Sequence, residues 1–195
     1  TYDLRDRRVL PTTGYMARIS QDLAGLGGDV AYLKNKFNFQ YYHPFSESLT
    51  GILATEEGFI YGIGERVRIS DRFFLGGSNL RGFESAGVGP RDRSTKDSLG
   101  GTIYYVGTAA LRFPLGPFDE YDIMGDVYAE GGSLMDPDLS DNTNVFDDSS
   151  PRFTAGFGVS WQSPFGPIRL DFTEAIVAKE FDKKEFFRFS FGTRF

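Results

Sequence analysis

The sequence predicts an all-β fold, an antiparallel transmembrane β-barrel to which this chain contributes about eight strands. Three observations predict it. Apolar and polar residues alternate with period two over most of the chain, the pattern of strands with one apolar and one polar face. Most of these runs are roughly 9–13 residues long, enough to cross a bilayer at a tilt. The connections also alternate in character. Short turns at 44–48, 114–121 and 164–167 face mostly longer, charged loops at 25–28, 65–100, 136–151 and 179–184, as in barrels with short turns on one side and long loops on the other.

Composition agrees. The 20 Phe and 10 Tyr are strand formers, and the 24 Gly and 9 Pro supply turns. No apolar run approaches the ~20 residues of a transmembrane helix. A mean hydropathy of −0.30 does not oppose the barrel, because alternating strands hide their lipid face from any averaging window.

Each element can be justified in order. Residues 2–14 are polar and end in the turn signal Pro11-Thr12-Thr13-Gly14. Tyr15, Ala17, Ile19 and Leu23 then alternate with Arg18, Ser20 and Asp22. After the Gly25-Leu26-Gly27-Gly28 turn, Leu33, Phe37, Phe39 and Tyr41 alternate with Lys34, Lys36, Asn38 and Gln40. Residues 49–64 form a weaker strand, where one of the adjacent Glu56 and Glu57 must face the apolar side or lie beyond it. Ile103, Tyr105, Ala109, Leu111 and Phe113 oppose Thr102, Tyr104, Thr108, Ala110 and Arg112. Ile123 and Val127 oppose Asp126, Tyr128 and Glu130. Phe153, Phe157, Val159 and Trp161 oppose Thr154, Ser160 and Gln162, and Ile168, Leu170 and Phe172 oppose Arg169, Asp171 and Thr173. The last strand spans 185–195, with Phe187, Phe189, Phe191 and Phe195 on one face. The polar faces carry both signs of charge, from Lys36, Arg112, Asp126, Glu130, Arg169, Asp171 and Arg188. Tyr41, Tyr42, Phe113, Trp161 and Phe195 lie at strand ends and suit an interfacial girdle. A soluble sandwich with its polar face in water shows the same alternation.

The longest segment without alternation, 65–100, contains Phe74-Leu75-Gly76-Gly77-Ser78-Asn79-Leu80-Arg81-Gly82-Phe83-Glu84. Its apolar content argues against disorder and for a structured, functional loop that folds back on the barrel and carries Arg81 there.

Function classes are narrowed by what the sequence lacks. A net charge of −6 argues against nucleic acid as a partner. There is no Cys and one His, His43, so disulfides, thiolate metal sites and Cys–His or Ser–His hydrolysis are unsupported. Asp136, Asp138, Asp141, Asp147 and Asp148 lack the Gly and terminal Glu of an EF-hand loop and read as a solvated loop. No catalytic residue, metal or cofactor is expected.

Four ordered stretches carry a resemblance: Tyr2-Asp3-Leu4-Arg5-Asp6 with Leu10-Pro11-Thr12-Thr13-Gly14; Gly76-Gly77-Ser78-Asn79-Leu80-Arg81-Gly82-Phe83; Trp161-Gln162-Ser163-Pro164-Phe165-Gly166-Pro167-Ile168; and alternating aromatics ending at Phe195. The chain resembles the C-terminal half of the barrel of BamA-type outer-membrane assembly factors, the bacterial surface antigen superfamily. The resemblance implies a barrel of about sixteen strands, with POTRA modules and the first half of the barrel outside residues 1–195. The chain opens at Thr1 in what reads as a strand end, and is read as a piece of a longer protein.

What the resemblance implies further is folding and insertion of β-barrel proteins into the bacterial outer membrane, without enzyme chemistry. The implied partners are outer-membrane lipids, unfolded β-barrel substrates and lipoprotein subunits. Leu80, Arg81, Gly82 and Phe83 match the family's loop-anchor motif, and Glu130 matches the acidic partner of its Arg inside the barrel. The family's second acidic partner is replaced by Ala110, leaving Asp126 or Asp171 as other supports for Arg81. The terminal strand, with Phe187, Phe189, Phe191 and Phe195, is the implied gate. The alternative is a two-partner secretion or other translocation channel of the same superfamily. An isolated half-barrel is expected to close on itself or to associate through its open edges, near 15–23 and 185–195.

Overall fold

The computed structural model describes residues 1–25, 31–116, 122–139 and 144–192. Its strands are β1 (Tyr2–Asp3), β2 (Gly14–Ala24), β3 (Tyr32–Ser46), β4 (Leu49–Gly62), β5 (Arg91–Asp92), β6 (Ile103–Pro114), β7 (Ile123–Met135), β8 (Val145–Phe146), β9 (Arg152–Ser163), β10 (Gly166–Val177) and β11 (Phe187–Phe191). Nine form one antiparallel sheet in the order β1-β2-β3-β4-β6-β7-β9-β10-β11, and β5 pairs with β8 apart from it. The sheet is open, with β1 and β11 at its ends.

The two faces differ in the sense required of a membrane wall. Ile19, Leu53, Phe59, Tyr61, Phe153, Phe157, Trp161 and Phe189 are exposed on the outer face. Tyr128, Glu130, Thr154, Ser160, Asp171 and Thr173 are buried on the inner one. A soluble sandwich would bury the apolar face instead. Cross-strand register builds an aromatic row on the outside: Phe157 stacks on Phe172 at 4.9 Å, and Phe172 lies 5.1 Å from Phe187.

The inner face is covered by the long loop. Val67, Phe73, Leu75, Leu80, Phe83 and Val88 pack on Ile60, Tyr104, Val106, Leu134 and Ala175. Each large side chain so removed from water stabilises the closed loop by at most about 1.5–3 kcal/mol.

Several expectations are corrected. β3 runs on through Pro44 to Ser46, so only Glu47 and Ser48 separate it from β4. Pro44 is tolerated because the ladder shifts register between Pro44 and Ser46. Likewise Pro167 belongs to β10, and the preceding turn is Pro164-Phe165. Tyr42 joins no girdle: it is buried on the inner face, because strand parity sets it opposite to Tyr41. Glu57 is exposed on the outer face, whereas Glu56 points inward and accepts the Tyr104 hydroxyl. The loops at 65–100 and 136–151 are tied to each other by the β5–β8 pair. The edge near 15–23 is partly occupied, since β1 pairs with Met16 and Ala17. The paired part of the last strand ends at Phe191 and begins at Phe187, because Glu185 bonds elsewhere. Phe195, Asp141, the 26–28 part of the first turn and 117–121 of the third lie outside the described residues.

Candidate functional site

The site is built where the loop tip meets the inner faces of β7, β9 and β10. Gly82 bends the chain there with φ +91°, and a Cβ would lie 3.0 Å from both Thr154 Cγ2 and Thr173 Cγ2. Only glycine satisfies the backbone angle and the approach together. Leu80 and Phe83, on either side of the Arg81-Gly82 pair, are fully buried in the apolar cluster. Arg81 is thereby directed at the wall.

The Arg81 backbone amide donates to Glu130 Oε2 at 2.8 Å, and its Nε donates to Glu130 Oε1 at 2.9 Å. Nη2 also donates to Oε1, and Nη1 donates to Asp171 Oδ1 at 3.1 Å. Asp126 Oδ2 lies 3.8 Å from Nη1. The guanidinium sits 3.3 Å from the centroid of the Tyr128 ring, a cation–π contact. Burial alone would lower the Arg81 pKa, but the Glu130 carboxylate outweighs it and holds it above the ordinary arginine value.

A second guanidinium completes the network. Arg169 Nη1 and Nη2 donate to Asp126 Oδ1 and Oδ2, both at 2.8 Å, in a bidentate fork. Its Nε donates to Asp171 Oδ2 at 2.9 Å. Asp126 stands on β7 and Asp171 on β10, so Arg169 reaches across β9. Gly158 of β9 permits this, because a Cβ there would lie 2.4 Å from Arg169 Nη2. Tyr128 bonds Asp171 at 3.1 Å and Thr173 at 2.6 Å, and Thr108 donates to Glu130 at 3.3 Å. Three carboxylates thus bind Arg81 and Arg169, and Arg112 stands opposite Asp126 in register without bonding it.

Of the residues singled out in the sequence, the structure brings Arg81 to Glu130 and Asp171, with Asp126 nearby. The network also contains Arg169 and Tyr128, whose partners the strand pattern alone did not identify. Phe187, Phe189 and Phe191 stand apart on the outer face of β11, about half exposed. His43 lies between Tyr41 and Phe45 on the outer face, remote from the network. Asp136 accepts from Thr102, Asp138 from Val67, and Asp148 from Ser150, so these loop carboxylates are committed to local bonds. The network bonds tie the long loop to the inner wall through Arg81.

A family model described as the Omp85 superfamily domain matches residues 1–195. The "Outer membrane protein assembly factor BamA" of Neorickettsia risticii is 34% identical over 192 residues, covering 97% of this chain and 26% of that protein. A SAM50-like protein of Schizosaccharomyces pombe is 33% identical over 192 residues, covering 93% of this chain and 40% of that protein. The crystal structure of BamA from Haemophilus ducreyi lacking POTRA domains 1-3 superposes with a TM-score of 0.87 at 24% identity, over 96% of this chain and 40% of that one. The chain therefore spans well under half the length of these relatives.

Proposed function

The chain belongs to the Omp85 superfamily, and from that premise we propose that it is the C-terminal part of the barrel of an assembly factor that folds and inserts β-barrel proteins into the bacterial outer membrane. The relatives named as a BamA assembly factor and a SAM50-like protein support this reading. The rest of the barrel and its POTRA modules belong to a longer parent protein, and lipoprotein subunits are its partners.

One observation carries the proposal: the Omp85 domain model covers residues 1–195, and the structure holds the Arg81 loop on the inner wall through Glu130 and Asp171. In this reading β11 is the strand whose outer edge opens to an incoming client strand, with backbone hydrogen bonds giving affinity and alternate side chains giving register. Such a mechanism needs no cofactor and no covalent step. The long loop, fixed to the wall one to three strands away, keeps the inner face ordered while that edge is offered.

Residues 1–195 contain no Cys, and with any cysteine elsewhere in the parent replaced by Ser a single introduced cysteine reports one position. The full-length protein carrying Ser190→Cys is reconstituted in liposomes and given a urea-unfolded β-barrel client with cysteines in its last strand. Disulfides between position 190 and that strand, formed during client folding and not before, are expected. Client insertion at the normal rate with no such cross-link, or export of a soluble passenger in place of insertion, would overturn the proposal.

A further inference from the structure

The connection between β10 and β11 reads in sequence as a charged loop, and the structure anchors it to the interior through one of its charges. Asp182 forms a fully buried ion pair with Arg152, at 2.9 Å from Nε, and accepts the Lys179 amide at 2.7 Å. Phe181 stacks on Phe146 at 5.1 Å. Beyond this anchor the backbone forms a short antiparallel ladder with the loop tip. The Lys183 amide donates to Gly87 O at 3.0 Å, the Glu84 amide to Lys183 O at 2.9 Å, and the Glu185 amide to Gly82 O at 3.0 Å. The partner then changes within one residue: Phe186 O accepts from Thr173 of β10 at 2.8 Å, and from Phe187 onward the chain is β11.

Gly82 adjoins Arg81, so the residue that binds Glu130 and Asp171 is next to the residue that binds the run-in to the terminal strand. We propose that residues 183–185 are a latch through which the long loop positions β11, so that holding or releasing Arg81 sets how firmly the terminal edge stays on β10. This rests on the reading of β11 as the edge offered to clients, and it adds Lys183 and Glu185 as positioning residues for it. The chain path supports the direction of the effect. The Glu185 amide bond to Gly82 O lies two residues before β11, so whatever holds Glu185 fixes the loop-side end of that strand.

Hydrogen exchange of the full-length protein in lipid nanodiscs, without any client, tests the latch separately from the assembly reading. In Arg81→Ala, amides of 183–185 and of β11 should exchange about tenfold faster or more, since even one of the three charge-assisted bonds lost is worth that much. The β7–β9 ladder should be unchanged. Lys183→Pro removes the amide bond to Gly87 while leaving Arg81 on its carboxylates, and should speed β11 in the same way. The pair Glu84→Cys with Lys183→Cys, both exposed and facing each other in the ladder, should slow β11 exchange when oxidised and restore it when reduced. Faster exchange confined to 183–185, with β11 unaffected by both variants, would overturn the proposal. If a variant loosens the whole sheet, the disulfide decides: β11 exchange that does not respond to oxidation overturns it. A protein that passes these tests but inserts no client would refute the assembly reading and leave the latch standing.

Discussion

Replacing Arg81 with alanine removes three side-chain donors and the stack on Tyr128, but not every bond of the residue. The backbone amide at 81 still donates to Glu130 Oε2, and Thr108 still donates to Oε1. Breaking one side of a buried ion pair costs roughly 3–5 kcal/mol. The two retained donors place this case at the lower end, about 3 kcal/mol, which is roughly a 150-fold rise in the open population of the loop. Glu130→Ala removes the backbone bond as well and should cost at least as much. Their double-mutant cycle should show a coupling of about 1.5–3 kcal/mol. Arg81→Lys keeps the charge and loses the fork, so it should fall between wild type and alanine. The readout is exchange of the Gly77 amide, which bonds Phe83 O inside the loop, compared with amides of the β3–β4 ladder. The loop signal should move while the ladder signal stays. A coupling within about 0.5 kcal/mol of zero, or equal acceleration of both signals, would refute the anchoring argument.

Gly82→Ala forces a left-handed angle on a residue with a Cβ held between two threonines, and should release the loop by about 1–3 kcal/mol, read by the same Gly77 amide. Spin labels at 157 and 161 should be quenched by lipid-soluble oxygen, and labels at 154 and 160 should not; the reverse order would contradict the assignment of faces. Asp182→Asn leaves the buried Arg152 without its carboxylate and should lower the midpoint of thermal unfolding by several degrees, as a loss of about 3 kcal/mol or more implies. Asp148, in the loop after β8, is held well below the usual carboxylate range by its hydrogen bonds to Ser150 and by Lys179. Its folded pKa is depressed, so its contribution is present above about pH 4 and lost as the pH falls through the folded value. Protection of the Ser150 amide should be constant from neutral pH down to about pH 4 and decline only below it.

Much of the wall was legible because a strand repeats every two residues. Phe153, Phe157 and Trp161 share a parity and one face, and Glu130 falls opposite them. Parity also places Tyr42 inside; reading Tyr41 and Tyr42 as a girdle set composition above periodicity. The apolar inner residues were harder to see. Ile60, Tyr104, Val106 and Leu134 lie at the loop-side ends of their strands, where the inner face meets a folded loop and not water. Alternation cannot reveal this, since it reports which side a residue faces and not what covers that side. The pairing of Arg169 with Asp126 spans a strand, and depends on register across two interfaces that no local pattern fixes. The run 179–184 is the charged loop its composition suggests, with Glu180, Lys183 and Lys184 exposed, but no local pattern shows that Asp182 pairs with the buried Arg152 of β9.

Arg169 has a mechanical consequence. Its guanidinium crosses over Gly158 of β9 and grips Asp126 of β7 while Asp171 of its own strand holds it from behind, like a strap passed over one plank to the next but one. Shearing β7 past β10 would have to pull a buried bidentate ion pair apart. These two strands, with β9 between them, therefore resist sliding. Relative motion in the wall is left to the seams this tie does not cross, and the one between β10 and β11 is among them.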